Sequence, residues 1–279
     1  MLGGISSAGG VKSPKKRSKP RGKNCMHISE ETLTFNGPGV EIQDVDIVGT
    51  SDFSFCFWYK RPSGLGAFNT STIQNPHLFS QAQDKNNAMI LGVGAHASVA
   101  GSCLDFYVKI GGSVIINLES GNHGMALDTW HHIAVVCDRS SASHSIIYID
   151  GVALSMETQT MDSSTDIDIS GAFTLGRTAA TSGSHGGYYK DLMFYSKALG
   201  LKEISKIYNH HGKKRLLSIT QLKTDLEFYL PLGDSPSGDH ATNVDGFNDI
   251  SGNDRHGRGA TGSGGGATGS IAIYSDAPS

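Results

Sequence analysis

The densest group of chemically active side chains in the sequence is a run of basic residues near its beginning. Residues 1–26 contain no acidic residue, and the first acid is Glu30. The basic residues are Lys12, Lys15, Lys16, Arg17, Lys19, Arg21 and Lys23. Prolines favour an extended backbone here, and the charges suit salt-dependent contact with nucleic-acid phosphates, an acidic protein partner, or a nuclear localisation signal. A solvated tail is the alternative. We expect an extended, partner-binding arm.

Charge and composition divide the chain and exclude several classes of protein. The net charge is −3, but outside residues 1–26 there remain 16 basic and 26 acidic residues, so a basic arm precedes an acidic body. Glycine accounts for 36 of 279 residues, which argues against a coiled coil or a helical bundle. No apolar run approaches the ~18 residues that a membrane helix needs, so no membrane span is expected.

Histidine and cysteine offer metal-binding chemistry, but their spacing does not support it. His131 and His132 are adjacent on an expected strand, so their rings point to opposite faces and cannot share one metal. The four cysteines are widely spaced and form no CxxC pair. We therefore expect structural histidines, reduced thiols and no zinc site.

The elements that position these residues are short strands separated by turns. Residues 52–59 form the strongest strand pattern and are apolar on both faces, which predicts a central strand. Residues 130–138 and 145–150 predict a long hairpin, and Gly111-Gly112 predicts a tight one. Apolar residues at helical spacing predict one short helix over 201–209. Many short strands with turn signals indicate a sandwich or jelly roll.

Three segments, in order, resemble the laminin G-like branch of the concanavalin A-like lectin/glucanase superfamily. The family's central-strand pattern matches residues 52–60, which read DFSFCFWYK. Its hairpin pattern matches TWHHIAV at 129–135 and YIDG at 148–151, and its closing L-G strand, strand and helix match the region from 175 to 204. The resemblance implies an all-β fold: a concanavalin A-like jelly-roll sandwich of two antiparallel sheets with one short helix.

One segment stands in an unusual place. In the family, a strand followed by P-L-D and D-x-S-G-N usually opens the domain, whereas here the matching residues are 226–232 and 249–257. The resemblance thus implies a circular permutation. The late strand either folds back to pair near residues 32–35, which we favour, or completes a neighbouring chain. The expected domains are an arm at 1–26, a sandwich at 27–259 and a Gly/Ser-rich tail at 260–279.

The resemblance also implies ligands at the rim of the sandwich. Relatives hold calcium with loop oxygens, and the candidate calcium ligands here are Asp249, Asn253 and Asp254, or else Asp162, Asp166 and Asp168. The alternative is that these residues only form turns. Loop aromatics are the candidate sugar contacts, namely Phe68, Tyr188 and Phe247, whereas Trp58, Trp130 and the phenylalanines at 53, 55 and 57 are expected in the core.

Enzymatic activity is not expected. Related glucanases carry E-x-D-x-x-E on one strand as their paired catalytic carboxylates, and this motif is absent. The leading interpretation is a non-enzymatic structural protein of a large assembly, a capsid-associated virion component. The alternatives are a carbohydrate-binding, calcium-dependent lectin-like module and a divergent or inactive glycoside hydrolase. The first residues lack a secretory signal pattern, which predicts synthesis in the cytosol and a virion, nuclear or cytoplasmic assembly.

Overall fold

Short β-strands make up most of the regular structure. The computed structural model describes residues 24–28, 39–42, 45, 48–65, 77–94, 103–176, 186–209, 216–233, 247–260 and 271–275. The strands in these ranges are β1 (Asn24–Ile28), β2 (Gly39–Ile42), β3 (Val48–Gly49), β4 (Phe53–Lys60), β5 (His77–Ala82), β6 (Ala88–Gly94), β7 (Cys103–Ile110), β8 (Ser113–Ser120), β9 (His131–Cys137), β10 (Ile146–Ile149), β11 (Val152–Ala153), β12 (Met156–Met161), β13 (Ile167–Asp168), β14 (Phe173–Leu175), β15 (Gly187–Tyr195), β16 (Leu226–Leu230), β17 (Gly257–Ala260) and β18 (Ile271–Ser275). The helices are α1 (Leu201–Asn209) and α2 (Thr220–Lys223), with 3-10 turns at Ser63–Leu65 and Ala142–His144.

The strands form two antiparallel sheets of eight strands each. Sheet A has the order β11-β10-β9-β4-β15-β1-β18, with β16 also paired to β15. Sheet B has the order β12-β8-β7-β6-β5-β14-β2-β17, and β13 pairs separately with β3. The predicted jelly-roll sandwich of antiparallel sheets is confirmed. The expected hairpins are present as well, between β7 and β8 and between β9 and β10.

The main core lies between the two sheets and is dominated by aromatic rings. Alternate residues of β4 point inward, so Phe53, Phe55 and Phe57 are all buried there, as predicted. The ring of Phe55 lies 4.2 Å from that of Phe79 on sheet B, and Phe79 lies 4.0 Å from Phe173. Each such ring contributes on the order of 1.5–3 kcal/mol by leaving water, so this layer holds the sheets face to face.

A second apolar layer covers part of the outer face of sheet A. Ile204 and Ile207 of α1 are fully buried, and they belong to the same cluster as Cys56 and Tyr195 from the outer face of the sheet. This cover explains why β4 is buried on both faces, and it confirms the predicted central strand. The predicted helix is confirmed at its expected bounds.

The late strand β16 finds its partner within the same chain. It pairs with β15 over Leu192–Tyr195, while β1 pairs with the beginning of the same strand, around Tyr188. The partner expected at residues 32–35 lies outside the described residues. Both β1 and β16 therefore lie along one edge of β15, and β18 closes the sheet beyond β1.

The predicted domain boundaries shift at both ends because strands extend into the expected arm and tail. Strand β1 begins at Asn24, three residues before the expected start of the sandwich. Strand β18 lies inside the expected tail and pairs with β1 along five residues. In sequence, the Gly/Ser-rich stretch at 261–270 thus stands between two strands of the sandwich. The strand before it, β17, pairs with β2, and the strand after it is β18.

Cys56 and Cys137 lie on the neighbouring strands β4 and β9, but their side chains point to opposite faces of sheet A and do not form a disulfide. Cys56 is opposite Ala134 and belongs to the outer layer, whereas Cys137 is opposite Phe53 and belongs to the main core. Burial raises the pKa of both thiols far above the ordinary value. Both therefore behave as small apolar side chains.

Gly171 should be intolerant of any side chain. A Cβ at this position would overlap the backbone carbonyl of Ala82, because the turn before β14 lies directly against the end of β5. We expect Gly171→Ala to lower the free energy of unfolding by about 2–3 kcal/mol, as overpacking does elsewhere. Gly64→Ala is the matched control, since its Cβ would have no atom within 4 Å, and it should change the free energy by less than ~0.5 kcal/mol. Urea unfolding of both variants measures the difference, and equal stabilities would contradict the prediction.

Candidate functional site

The basic arm and one predicted sugar contact lie outside the described residues. These are Lys12, Lys15, Lys16, Arg17, Lys19, Arg21, Lys23 and Phe68. The other predicted site residues are described. Three environments on the domain are candidates for a functional site: the loop around Asp249, a histidine–aspartate corner, and a group of rings and ammonium groups that includes Tyr188.

The first environment is the loop of the predicted calcium ligands Asp249, Asn253 and Asp254, which is built as a turn. Asp249 is 8% exposed, and its carboxylate accepts hydrogen bonds from Tyr229 N–H at 2.9 Å, from the Ser251 backbone and hydroxyl, and from Arg255 N–H at 3.1 Å. Because both carboxylate oxygens are used by the loop, this geometry fits a turn better than a calcium site.

The other two members of that set also have turn roles. Asn253 donates from Nδ2 to the Leu226 carbonyl at 2.8 Å and to the Glu227 carbonyl at 3.0 Å, which ties the loop to β16. Asp254 has a left-handed backbone, with φ of 57°, and its side chain is 92% exposed. Within the described ranges, no three His, Cys, Asp or Glu side chains are grouped as a metal site requires. Calcium binding stays a prediction.

Two aspartates of the alternative set, Asp162 and Asp166, lie near a buried arginine. Arg139 is 2% exposed and donates from Nη2 to the Thr165 carbonyl at 2.6 Å. Burial lowers the pKa of Arg139, and the nearby charges of Asp162 and Asp166 oppose that shift. A guanidinium therefore already supplies positive charge beside these carboxylates, and Asp162 also caps its own turn through Ser164 and Thr165.

The second environment is a histidine–aspartate corner at the hairpin of β9 and β10. His131 accepts a hydrogen bond at Nε2 from Ala126 N–H, at 2.9 Å, so its Nδ1 carries the proton that is donated to Asp150 at 3.0 Å. The other oxygen of Asp150 accepts from His132 N–H at 2.9 Å. Burial alone would raise the pKa of Asp150, but these hydrogen bonds prevail and hold the pKa below its ordinary value. The corner is structural.

The loop that follows β8 is held by the same type of contact. His123 accepts a hydrogen bond at Nδ1 from Met125 N–H at 2.9 Å, and His131 accepts from the next residue, Ala126. Both rings act as acceptors only in their neutral form. These two hydrogen bonds fix the loop whose last residue, Trp130, reaches the outer face of sheet A.

The third environment is a group of rings and ammonium groups on that outer face. We call it the aromatic–lysine face, and it consists of His27, Lys60, Trp130, Tyr188 and Lys190. Lys60 Nζ lies 4.5 Å from the centre of the Tyr188 ring and 5.2 Å from that of Trp130. Lys190 Nζ lies 4.9 Å from the centre of Trp130. His27 stacks on Tyr188 with ring centres 4.2 Å apart.

Strand register brings this face together. Tyr188 of β15 is directly opposite His27 of β1 on one side and Lys60 of β4 on the other. Lys190 follows Tyr188 by two residues and therefore points to the same face. Trp130 precedes β9, the strand beyond β4. Four neighbouring segments thus each place a side chain on the part of sheet A next to the helix-covered layer.

Next to the aromatic–lysine face, beside α1, the side chains on the outer face of sheet A are buried. The Trp58 ring is 1% exposed and stacks on Tyr208 of α1 with ring centres 5.6 Å apart. The His132 ring packs against both of these rings. At the surface, by contrast, the side chains of Lys60, Trp130 and Tyr188 are all partly exposed.

Two sequence predictions about aromatic residues need correction. Phe247 is 2% exposed and belongs to the main core, because its backbone bridges to Gly257 and carries the ring between the sheets, so it presents no face to a sugar. Trp130 was expected in the core, but it precedes the strand and is partly exposed at the surface. Trp58 is buried as predicted. Tyr188 lies in the aromatic–lysine face, and its contact with a sugar remains a prediction.

Sequence reasoning did not identify Lys60, Lys190 or His27 as site residues. Their types are unremarkable, and they come from three strands that are 33 to 163 residues apart in sequence. The only local signal was the alternation of Tyr188 and Lys190 on one strand. Only the pairing of β1 with β15 in the structure shows that His27 lies next to Tyr188.

A family model describes this fold. The model of the concanavalin A-like lectin/glucanases superfamily matches residues 35–205, and the chain belongs to that family. A comparison with curated proteins gives no significant match. Among the described residues, no helix is both long and apolar enough to cross a membrane.

Solved structures share the architecture at low sequence identity. A candidate carbohydrate-binding protein from Bacteroides ovatus ATCC 8483 superimposes with a TM-score of 0.57 and 15% identity over 92% of this chain; the chain spans 60% of that protein's length. The heptameric SAP-like pentraxin from Limulus polyphemus gives a TM-score of 0.46 at 14% identity, covering 68% of this chain and 84% of the pentraxin. The binding domain of botulinum neurotoxin serotype G gives 0.47 at 16% identity, covering 67% of this chain and 47% of that one. The first of these similarities shows the lectin-like fold.

Proposed function

We propose that the protein is a lectin-like module that binds glycan at its aromatic–lysine face. The observation that carries the proposal is the convergence of two partly exposed rings, Trp130 and Tyr188, with the Lys60 ammonium. Rings supply apolar contact area at low entropic cost, and an ammonium group supplies three hydrogen-bond donors for hydroxyl or carboxylate oxygens. Membership of a superfamily that includes lectins supports the same assignment.

A matched pair of tyrosines tests this proposal. Tyr188→Ala should weaken binding to the best ligand of an immobilised glycan panel at least tenfold, because the ring that Lys60 and His27 contact is removed. Tyr107→Ala is the control: this partly exposed tyrosine of sheet B also has a lysine over its ring, Lys109 at 5.3 Å. Binding should be unchanged in the control. Equal effects of the two substitutions, or no glycan bound by the unaltered chain, would refute the proposal.

We further propose that binding is not followed by hydrolysis. The support is the missing pair of glutamates noted in the sequence, because glycoside cleavage needs an acid and a second carboxylate on either side of the bond. Calcium dependence remains part of the lectin-like alternative. Repeating the glycan titration with a chelator tests it, and unchanged affinity would remove calcium from the proposal.

A second candidate function is assembly, and the position of β1 favours it. Seven basic residues precede Asn24, where β1 begins, and β1 pairs with β18 near the edge of sheet A. In this proposal the chain is a structural protein of a large complex, a capsid-associated virion component in a cytoplasmic or nuclear assembly. The basic segment would contact protein neighbours or nucleic acid. Sedimentation of the chain with and without residues 1–23, in the presence of short DNA, tests it, and identical behaviour would count against it.

A further inference from the structure

We infer that β12 is an interface at which a second copy of this chain adds its own β12, so that sheet B continues from one copy into the other. The inference goes beyond the proposed glycan binding and does not depend on it. It follows from the backbone edge of this strand, from the half-buried side chains beside it and from the symmetry of its sequence.

The backbone of β12 has hydrogen-bonding groups on a side that faces no described strand. Among the described strands, β12 pairs only with β8. The Asp162 N–H donates to the Ile115 carbonyl at 2.7 Å, which continues this pairing just beyond β12. Because the backbone groups of successive residues point to alternate sides of a strand, those of Gln159 and Met161 point away from β8. A further strand could bond to them.

The sequence of β12 lacks the usual protection of an end strand. End strands in natural sheets are commonly very short or charged, which prevents pairing with other chains. Strand β11 has two residues, and β17 carries Arg258, whose Nη2 donates to the Glu41 carboxylate at 3.0 Å. Strand β12 has six residues, and its positions 158–161 contain neither a charged residue nor a proline. Such a strand is suited to pairing with another strand.

The main core reaches this edge of sheet B without being fully covered. Met156 and Met161 pack against the main core but are only half-buried. Met161 is directly opposite Ile116 of β8, which is fully buried. The methionines therefore form the boundary between the core and solvent on this side of the sandwich. A strand added beyond β12 would cover them and remove apolar surface from water.

A second copy fits this edge because the paired positions of β12 read the same in both directions. The register against β8 shifts between Met156 and Thr158, so Glu157 is the extra residue of a bulge. The remaining positions are Met156, Thr158, Gln159, Thr160 and Met161. In an antiparallel pair centred on Gln159, the two Gln159 backbones exchange hydrogen bonds, and each threonine or methionine meets a residue of its own type. A two-fold interface requires this self-complementarity.

Sedimentation equilibrium of the full chain tests the inference. Outside residues 1–26 the chain has 16 basic and 26 acidic residues, so two bodies repel each other, and salt should strengthen the β12 pairing. Contact between the basic segment of one copy and the acidic body of another should instead weaken with salt. We expect a monomer–dimer equilibrium at about 300 mM NaCl, where charges are screened beyond ~6 Å. A chain that stays monomeric at every concentration up to ~1 mM would overturn the inference.

Paired charges test the register of the interface. Thr158→Lys combined with Thr160→Lys should weaken the dimer at least tenfold, because each lysine then lies opposite a lysine of the other copy. Thr158→Glu combined with Thr160→Glu should weaken it as well, whereas an equimolar mixture of the two variants should dimerise again. This recovery also shows that both variants are folded. Ser113→Lys combined with Val114→Lys is the matched control, since these residues are exposed at the β7–β8 hairpin, and it should leave dimerisation unchanged.

A cysteine at the centre of the pair gives a second measurement. The four native cysteines are buried, so an introduced thiol can be followed by itself. Gln159→Cys should form a disulfide-linked dimer under mild oxidation, because directly opposite residues lie within disulfide reach. Val114→Cys, on an exposed residue of the same sheet, should remain monomeric. Equal cross-linking of the two variants, or a dimer that the paired lysines do not weaken, would overturn β12 as the interface.

Discussion

Replacing Asp150 by alanine is expected to lower the free energy of unfolding by about 3 kcal/mol. The carboxylate holds His131 and the His132 backbone together, and its removal would leave buried donors without an acceptor, at about 1–3 kcal/mol. Asp150 also has a left-handed backbone, with φ of 52°, which aspartate tolerates better than alanine. Chemical denaturation of the variant measures the loss.

Asp254→Ala separates the contribution of the Asp150 hydrogen bonds from that of its left-handed backbone. Asp254 has nearly the same φ, 57°, but its side chain is 92% exposed, so this substitution should cost only the backbone preference, ~1 kcal/mol or less. If both variants lost the same stability, the hydrogen bonds of Asp150 would contribute nothing.

The stability contributed by Asp150 depends on pH. Because the pKa of Asp150 is lowered in the folded protein, its contribution to the free energy of unfolding is present above the unfolded value of 3.8 and is lost as pH falls through the folded value.

Acidification from pH 7 to pH 5 is expected to lower the stability by about 4 kcal/mol. Burial lowers the pKa of His77 to about 4, and burial together with the charge of His131 lowers that of His123 to about 4. Both rings stay neutral in the folded chain while they accept protons in the unfolded chain below pH 6.5. Stability therefore falls by ~1.4 kcal/mol per pH unit for each histidine between pH 6.5 and 4. Thermal unfolding across this range measures the slope.

Single substitutions assign the slope to its sources. His77→Gln and His123→Gln should each remove about 2 kcal/mol of the pH dependence between pH 7 and 5. His144→Gln is the control for the substitution itself, because that side chain is 71% exposed, and it should change the free energy of unfolding at pH 7 by less than ~0.5 kcal/mol. A stability that stays constant from pH 7 to 5 would contradict the prediction. The effect of Asp150 lies below pH 3.8 and does not overlap this window.

More of the fold than of the candidate site could be predicted from the sequence. Local patterns were sufficient for β4, for the hairpin of β9 and β10, and for α1, because each has its own periodicity and turn chemistry. The sugar-contact prediction for Phe247 failed because a loop position alone does not tell whether a ring points inward. Lys60 and His27 were missed because only the pairing of distant strands brings them to Tyr188.

The placement of β1 has a consequence for how the chain folds. Its residues 24–28 pair with 187–189 on one side and with 271–275 on the other, so both neighbours are distant in sequence. Closing loops of this size costs entropy before any contact compensates for it, and folding slows as contacts become less local. During synthesis, residues 24–28 therefore have neither of these partner strands until residues 187–189 have been made, and their pairing with residues 271–275 comes later still.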